Sequence, residues 1–136
     1  NEIVSRRMIR FEYEGPKSLI GHILGGVAGH KYVDIDPLVH MGKIAREDSK
    51  SEEQNLKKLL AGRFEVTILP QSAALYYEKK LNLSGRIHYS KKPHTSYSRH
   101  ILVQPELSEI YEYIKKFVEN RDANEPWLKS LKKYGL

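Results

Sequence analysis

Apolar positions along the chain follow two periods. Leu56, Leu59 and Leu60 recur at helical spacing, with Gln54, Lys57 and Lys58 on other faces, so the stretch from Ser51 reads as an amphipathic helix. Ser51 and Gln54 fit a capping box, each side chain meeting a backbone N–H that the first turn leaves unpaired. Gly62 stands where a left-handed residue ends a helix at little cost. Phe64 to Leu69 is then a mostly apolar run of strand length, stopped by Pro70, which has no N–H to give a ladder. Ser51 to Tyr77 is thus an αβ unit feeding a buried strand, with a turn at the strand's C-terminal end.

The remaining pattern is weaker. Ile3 to Tyr13 alternates loosely, with Ile9 and Phe11 against Arg10 and Glu12, and predicts a strand broken by Gly15-Pro16. One helical turn at Ser18 to Ile20 precedes a small apolar strand, Ile23 to Val27. Its glycines, Gly25 and Gly26, weaken it unless another backbone or a ligand comes close. Tyr32 to Val39 predicts a short helix, with Pro37 limiting where it begins, and Lys43 to Arg46 a second short strand. Downstream the pattern predicts a helix over Ser72 to Leu81, a strand over Ile87 to Tyr89, an aperiodic crossing segment over Lys91 to Arg99 and a strand over His100 to Gln104. Glu106 to Asn120 is the clearest amphipathic helix, with Leu107, Ile110, Ile114, Phe117 and Val118 at core spacing. Trp127 to Tyr134 makes a last short helix closed by Gly135. Strands alternating with helices at this rate predict an α/β fold with a mostly parallel sheet flanked by helices.

At 136 residues with 40% hydrophobic content, the chain is one globular domain or part of one. The absence of cysteine excludes disulfides and thiolate metal sites. No apolar run approaches the roughly 18 residues of a membrane span. The chain opens at Asn1 and runs at once into strand-like sequence, as a processed or truncated product would. Its charge of +6 is concentrated: residues 51–100 hold nine Lys/Arg against four Asp/Glu, and the flanking stretches are nearly balanced.

Candidate chemistry is sparse. The six histidines show neither HExxH spacing nor a compact cluster, so surface or structural roles are expected. No GxSxG elbow is present, and the acidic pairs 34/36 and 47/48 fall in polar loops. Neither catalysis nor a cofactor is expected. Gly25 to Gly29 matches no nucleotide-binding loop, yet a helix start beyond it would attract a carboxylate or phosphate. Gly85 to His100 interleaves cations with Tyr89 and Tyr97, the composition of a small nucleic-acid module, although a solvated crossing loop is the favoured reading and no nucleic acid is expected.

Leu19-Ile20-Gly21-His22-Ile23 with Gly29-His30-Lys31-Tyr32 resembles the opening of the second lobe in bacterial extracellular solute-binding proteins of family 3. Asn55-Leu56, Leu59-Leu60 and Ala61-Gly62-Arg63-Phe64-Glu65 are similar to that family's helix, Gly-Arg and strand. The tail from His100 through Trp127-Leu128 to Leu136 is similar to its C-terminal return. The resemblance implies a periplasmic-binding-protein-like (type II) lobe over residues 1–97 and, over 98–136, a segment returning toward a first lobe outside this chain. It implies a periplasmic receptor for a small polar or anionic solute, serving a membrane transporter, or the sensor domain of a membrane signalling protein. Gly29, His30, Lys31 and Tyr32, with the turn at Pro70 and Gln71, are the expected ligand-binding residues on one edge of an interlobe cleft, because both follow strand C-terminal ends. Pro70 stands where the family places an aspartate for a ligand's amino group, which argues against an ordinary α-amino acid. The apolar face of the Glu106 helix, unpartnered without a first lobe, implies self-association.

Overall fold

The structure, a computed structural model, describes residues 1–136. Strands β1 (Glu2–Arg6), β2 (Ile23–Val27), β3 (Ala45–Ser49), β4 (Val66–Leu69) and β5 (Ile87–Tyr89) form one sheet in the spatial order β3-β2-β4-β1-β5. The sheet is mixed. Strand β2 is parallel to β3 and β4, whereas β1 runs antiparallel between β4 and β5, with Glu2 opposite Leu69 and Ser5 opposite Val66.

Alternation along the central strands divides the core into two layers. Ile3, Val66 and Ile68 pack with Tyr13, Leu19, Leu24, Tyr32, Ile35 and Ile44 on one face, beneath helix α1 (Asp36–His40) and a 3-10 turn at Pro16–Leu19. Val4 and Leu69 pack on the other face with Leu56, Leu59, Phe64, Ala74 and Leu83, beneath helices α2 (Glu52–Leu60) and α3 (Gln71–Lys80). Helices therefore flank the sheet on both sides, the α/β architecture that the alternation of elements predicts.

Helix α2 begins as its sequence dictates, with one difference. Ser51 Oγ accepts the Gln54 N–H at 3.3 Å, but Gln54 Oε1 reaches back to the Lys50 N–H at 2.9 Å instead of that of Ser51. Gly62 ends the helix at φ +76°, and the N–H groups of Gly62 and Arg63 donate to Leu59 O and Lys58 O. Inside the sheet, Asn55 joins three elements: its amide nitrogen donates to Thr67 Oγ1, its oxygen accepts from Ser49 Oγ at 3.1 Å, and Thr67 Oγ1 donates to Gly25 O at 2.9 Å. The glycines of β2 are explained by neighbours: a side chain on Gly25 would collide with the Phe64 ring, and one on Gly26 with Asp48 and Arg46.

Four sequence expectations are corrected. The strand expected over Ile3 to Tyr13 ends at Arg6, because the N–H groups of Ile9 and Arg10 both turn back to Arg6 O and Arg10 takes φ +50°. The helix expected from Tyr32 starts at Asp36. That start puts Pro37 in the first turn, where its missing N–H has no intrahelical partner to lose. Strand β3 begins two residues after and ends three residues after the expected Lys43 to Arg46, along the paired edge of β2. His100 to Gln104 forms no strand; no neighbour offers it a ladder, and Leu102 is 93% exposed.

The chain divides into two compact units, Asn1–Ser96 and Tyr97–Leu136. The second comprises α4 (Ser108–Glu119), a 3-10 turn at Arg121–Ala123 and α5 (Glu125–Tyr134), with Phe117 edge-on to Trp127 at 6.0 Å. Asn124 caps α5 by accepting the Trp127 N–H, and Gly135 ends it at φ +81°. No helix is long and apolar enough to cross a membrane.

Candidate functional site

Because β2 and β4 are adjacent and parallel, Val27 and Leu69 finish at the same end of the sheet. The chain leaving Val27 turns at once: the His30 N–H donates to Val27 O at 3.0 Å, and Gly29 takes φ +84°, a conformation that favours glycine. Arg46 of β3 holds this turn. Its Nη2 donates to Val27 O at 3.3 Å and His30 O at 3.0 Å, while Nη1 pairs with Asp36 at 3.1 Å and Nε with Asp48 at 2.7 Å. The guanidinium also lies 5.0 Å from the centre of the Tyr32 ring, and Asp36 Oδ2 accepts the Tyr32 N–H at 3.1 Å. Burial raises the Tyr32 phenol pKa, and Arg46 partly offsets that rise.

The turn and the end of β4 enclose a concavity of about 350 Å³. Gly29, His30, Lys31, Tyr32 and Pro70 line it, together with Asn1 and Ile68. Gln71 does not; it is exposed and opens α3. Asn1 arrives because β1 runs antiparallel to β4, which sets the start of the chain beside Pro70. It is fastened there: its N–H group donates to Thr95 O at 2.7 Å, its amide nitrogen to Thr95 Oγ1 at 2.9 Å, and its carbonyl accepts the His94 N–H at 3.0 Å. No periodicity points to Asn1, since its place depends on a pairing register sixty-seven residues apart. His94 is a second residue that sequence reasoning passed over. Its Nε2 meets Asp34 Oδ1 at 2.7 Å, and its ring, with the side chain 4% exposed, stands edge-on to Tyr13 and Tyr32. Burial and the neighbouring Asp34 push the Tyr13 phenol up to about 12.

The electrostatics favour negative charge. Around the concavity Asp34, Asp36 and Asp48 are all engaged by His94 or Arg46, whereas Lys31 has no ion pair. Helix α3 begins without a capping side chain or an acidic residue in its first turn, so its leading N–H groups retain their attraction for anions. The expected role of a helix start beside Lys31 falls to α3, because α1 begins five residues later and carries Asp36 in its first turn. No group of three His, Asp or Glu side chains gathers as a metal site.

The basic block from Gly85 to His100 is largely occupied. His88 meets Glu12 at 2.9 Å, Lys92 Nζ donates to Glu14 O, and Arg99 pairs with the Tyr97 hydroxyl and ring. Glu12 is held below the usual carboxylate range, chiefly by the Lys91 N–H. Arg86 lies beside Arg6 and Arg7.

No family model and no curated protein sequence matches the chain. Solved structures do. An ancestral arginine-binding protein bound to arginine aligns over 98% of this chain and 58% of its own, at 18% identity and TM-score 0.65. A variant of the arginine-binding protein ArgBP from T. maritima aligns over 98% of this chain and 56% of its own, at 16% identity and TM-score 0.65. Domain 2 of the same protein, crystallised by itself, aligns over 65% of this chain and 91% of its own, at 17% identity and TM-score 0.52. The chain thus spans a little over half the length of the first two of these structures. At these identities the likeness is one of fold: an α/β lobe of the periplasmic-binding-protein kind, shared with arginine-binding proteins.

Proposed function

We propose that the chain is the solute-binding lobe of a two-lobe receptor, and that it holds a small polar or anionic solute against Gly29, His30, Lys31, Tyr32 and Pro70. One observation carries the reading: these five residues line a single concavity at the shared C-terminal end of parallel strands β2 and β4. Open α/β sheets bind ligands at that end. The uncapped start of α3, opened by Gln71, and the unpaired Lys31 supply the positive potential. Related folds were solved with arginine and with glutamine bound. Here no free carboxylate lines the concavity to meet an amino group, so a dicarboxylate is the better fit. The reading brings with it a periplasmic location and a membrane transporter or sensor as partner.

Calorimetric titration of the protein with a dicarboxylate, glutamine and arginine is the test. The dicarboxylate binds most tightly, and Lys31→Gln weakens it about tenfold, the worth of one hydrogen bond to a charged group. Binding of arginine alone, indifferent to Lys31, overturns the reading.

A further inference from the structure

We propose a second binding site, for a phosphate group, at the end of the sheet opposite the concavity just described. Strand β1 runs antiparallel to β4, so Arg6 and Arg7 emerge where β4 begins, away from Pro70. Arg6, Arg7 and Arg86 line a hollow of about 280 Å³ there, with Met8, Leu60 and Gly85. The Arg7 N–H donates to Arg86 O at 2.9 Å, which fastens the two turns that carry the three arginines.

None of the three guanidinium groups has an ion pair. Arg6 Nε is buried and has no hydrogen-bond partner at all. Three like charges brought to one hollow repel each other, and a buried donor without an acceptor is unfavourable. Capping of α2 does not account for the arrangement. The carbonyls of Lys57, Lys58 and Leu59 already accept the N–H groups of Ala61, Arg63 and Gly62.

The backbone makes room for the guanidinium groups. A Cβ on Gly62 would lie 2.7 Å from Arg6 Nη1, and one on Gly85 would lie 3.8 Å from Arg7 Nη1. Both are left-handed turn positions, so both turns present bare backbone where the arginines sit. Planar guanidinium forks match the oxygens of phosphate two at a time, and an anion in the hollow offsets the repulsion. A soluble phosphate compound and a lipid headgroup offer the same chemistry, and Met8, 82% exposed on the rim, favours an apolar boundary only in the second case. The site is independent of the cleft reading.

Titration of the full chain with inorganic pyrophosphate, beside flotation with phosphatidylglycerol and phosphatidylcholine vesicles, tests it. Arg7 and Arg86 are exposed, so Arg7→Gln with Arg86→Gln leaves the fold intact, as circular dichroism checks. The double variant weakens pyrophosphate binding by about tenfold or more, whereas Lys43→Gln with Lys129→Gln, the same charge change elsewhere, does not. Vesicle binding that needs phosphatidylglycerol, both arginines and Met8 supports the same site with a headgroup as ligand. No binding of either probe, or equal losses in the two double variants, overturns the proposal.

Discussion

Arg46 does more for the candidate site than any residue that lines it. It bridges Asp36 and Asp48, spans the Val27 and His30 carbonyls and covers Tyr32, with only 14% of its side chain exposed. Arg46→Met therefore leaves a half-buried carboxylate unpaired and the turn untied. We expect a loss of about 2–3 kcal/mol, discounted for the partial exposure of Asp48. Hydrogen exchange should accelerate at Gly29 and His30 beyond the global change; unaltered exchange there would show that Arg46 is not what holds the turn. Residue-level legibility divides along the same line. Gly29 and Pro70 stand out in the sequence because glycine after a strand and a strand-ending proline each carry a local reason, whereas Tyr32 enters only through the family resemblance. Arg46, Asn1 and His94 do neither. Arg46 reaches the His30 carbonyl 16 residues away, and Asn1 and His94 find partners 94 and 60 residues away; one sequence holds no record of such pairings.

Helix α2 shows what an element states about itself. Its start, stop and apolar face follow from Ser51, Gly62 and the leucine spacing, all within one stretch of chain. Less visible is how it is joined to α3: Glu53 accepts from Lys57 of its own helix at 2.8 Å and from Lys80 of α3 at 2.7 Å. These two bonds hold the Glu53 carboxyl down to about 2, Lys57 contributing most and Lys80 next. A depressed carboxylate stabilises the fold above its unfolded value of 4.5, and that stabilisation is lost as pH falls toward about 2. Glu53→Gln should thus lower the thermal midpoint at neutral pH, by a small amount because the pair is exposed, and the gap from the parent should close across that acid window. A gap that is constant with pH would assign the effect to helix propensity instead. Other element boundaries were hidden by longer-range effects. Tyr32 to Val39 has helical spacing and the Asp36 N–H closes on Tyr32 O, yet the continuous helix begins only at Asp36, with Pro37 in its first turn. His100 to Gln104 has strand character and no neighbour to pair with.

For the whole molecule, periodicity identifies the α/β class but not the strand order, because alternation marks a strand's two faces and is silent on its neighbours. That β1 enters between β4 and β5, making the sheet mixed, is decided by non-local pairing and by the turn at Arg6. The distribution of buried side chains then sets a prediction for the two units. Every buried hydrophobic residue lies between Ile3 and Ile87, so unit Asn1–Ser96 builds its core from its own residues. In unit Tyr97–Leu136 nothing is buried: Leu107, Ile110, Phe117 and Val118 are 39% to 48% exposed. Helices shorter than about 12–15 residues are marginal without such packing, and α4 and α5 have 12 and 10. Ending the chain after Ser96 keeps the His94–Asp34 and Asn1–Thr95 bonds and every core contact. The shortened chain should unfold in urea within about 1 kcal/mol of the parent, the range of changes that leave a core untouched. In the parent, amides of β4 should exchange only through global unfolding, while those of α4 and α5 exchange by local opening at low free energy. A truncated chain that fails to fold, or α4 amides as slow as those of β4, would show that the tail is part of one cooperative structure.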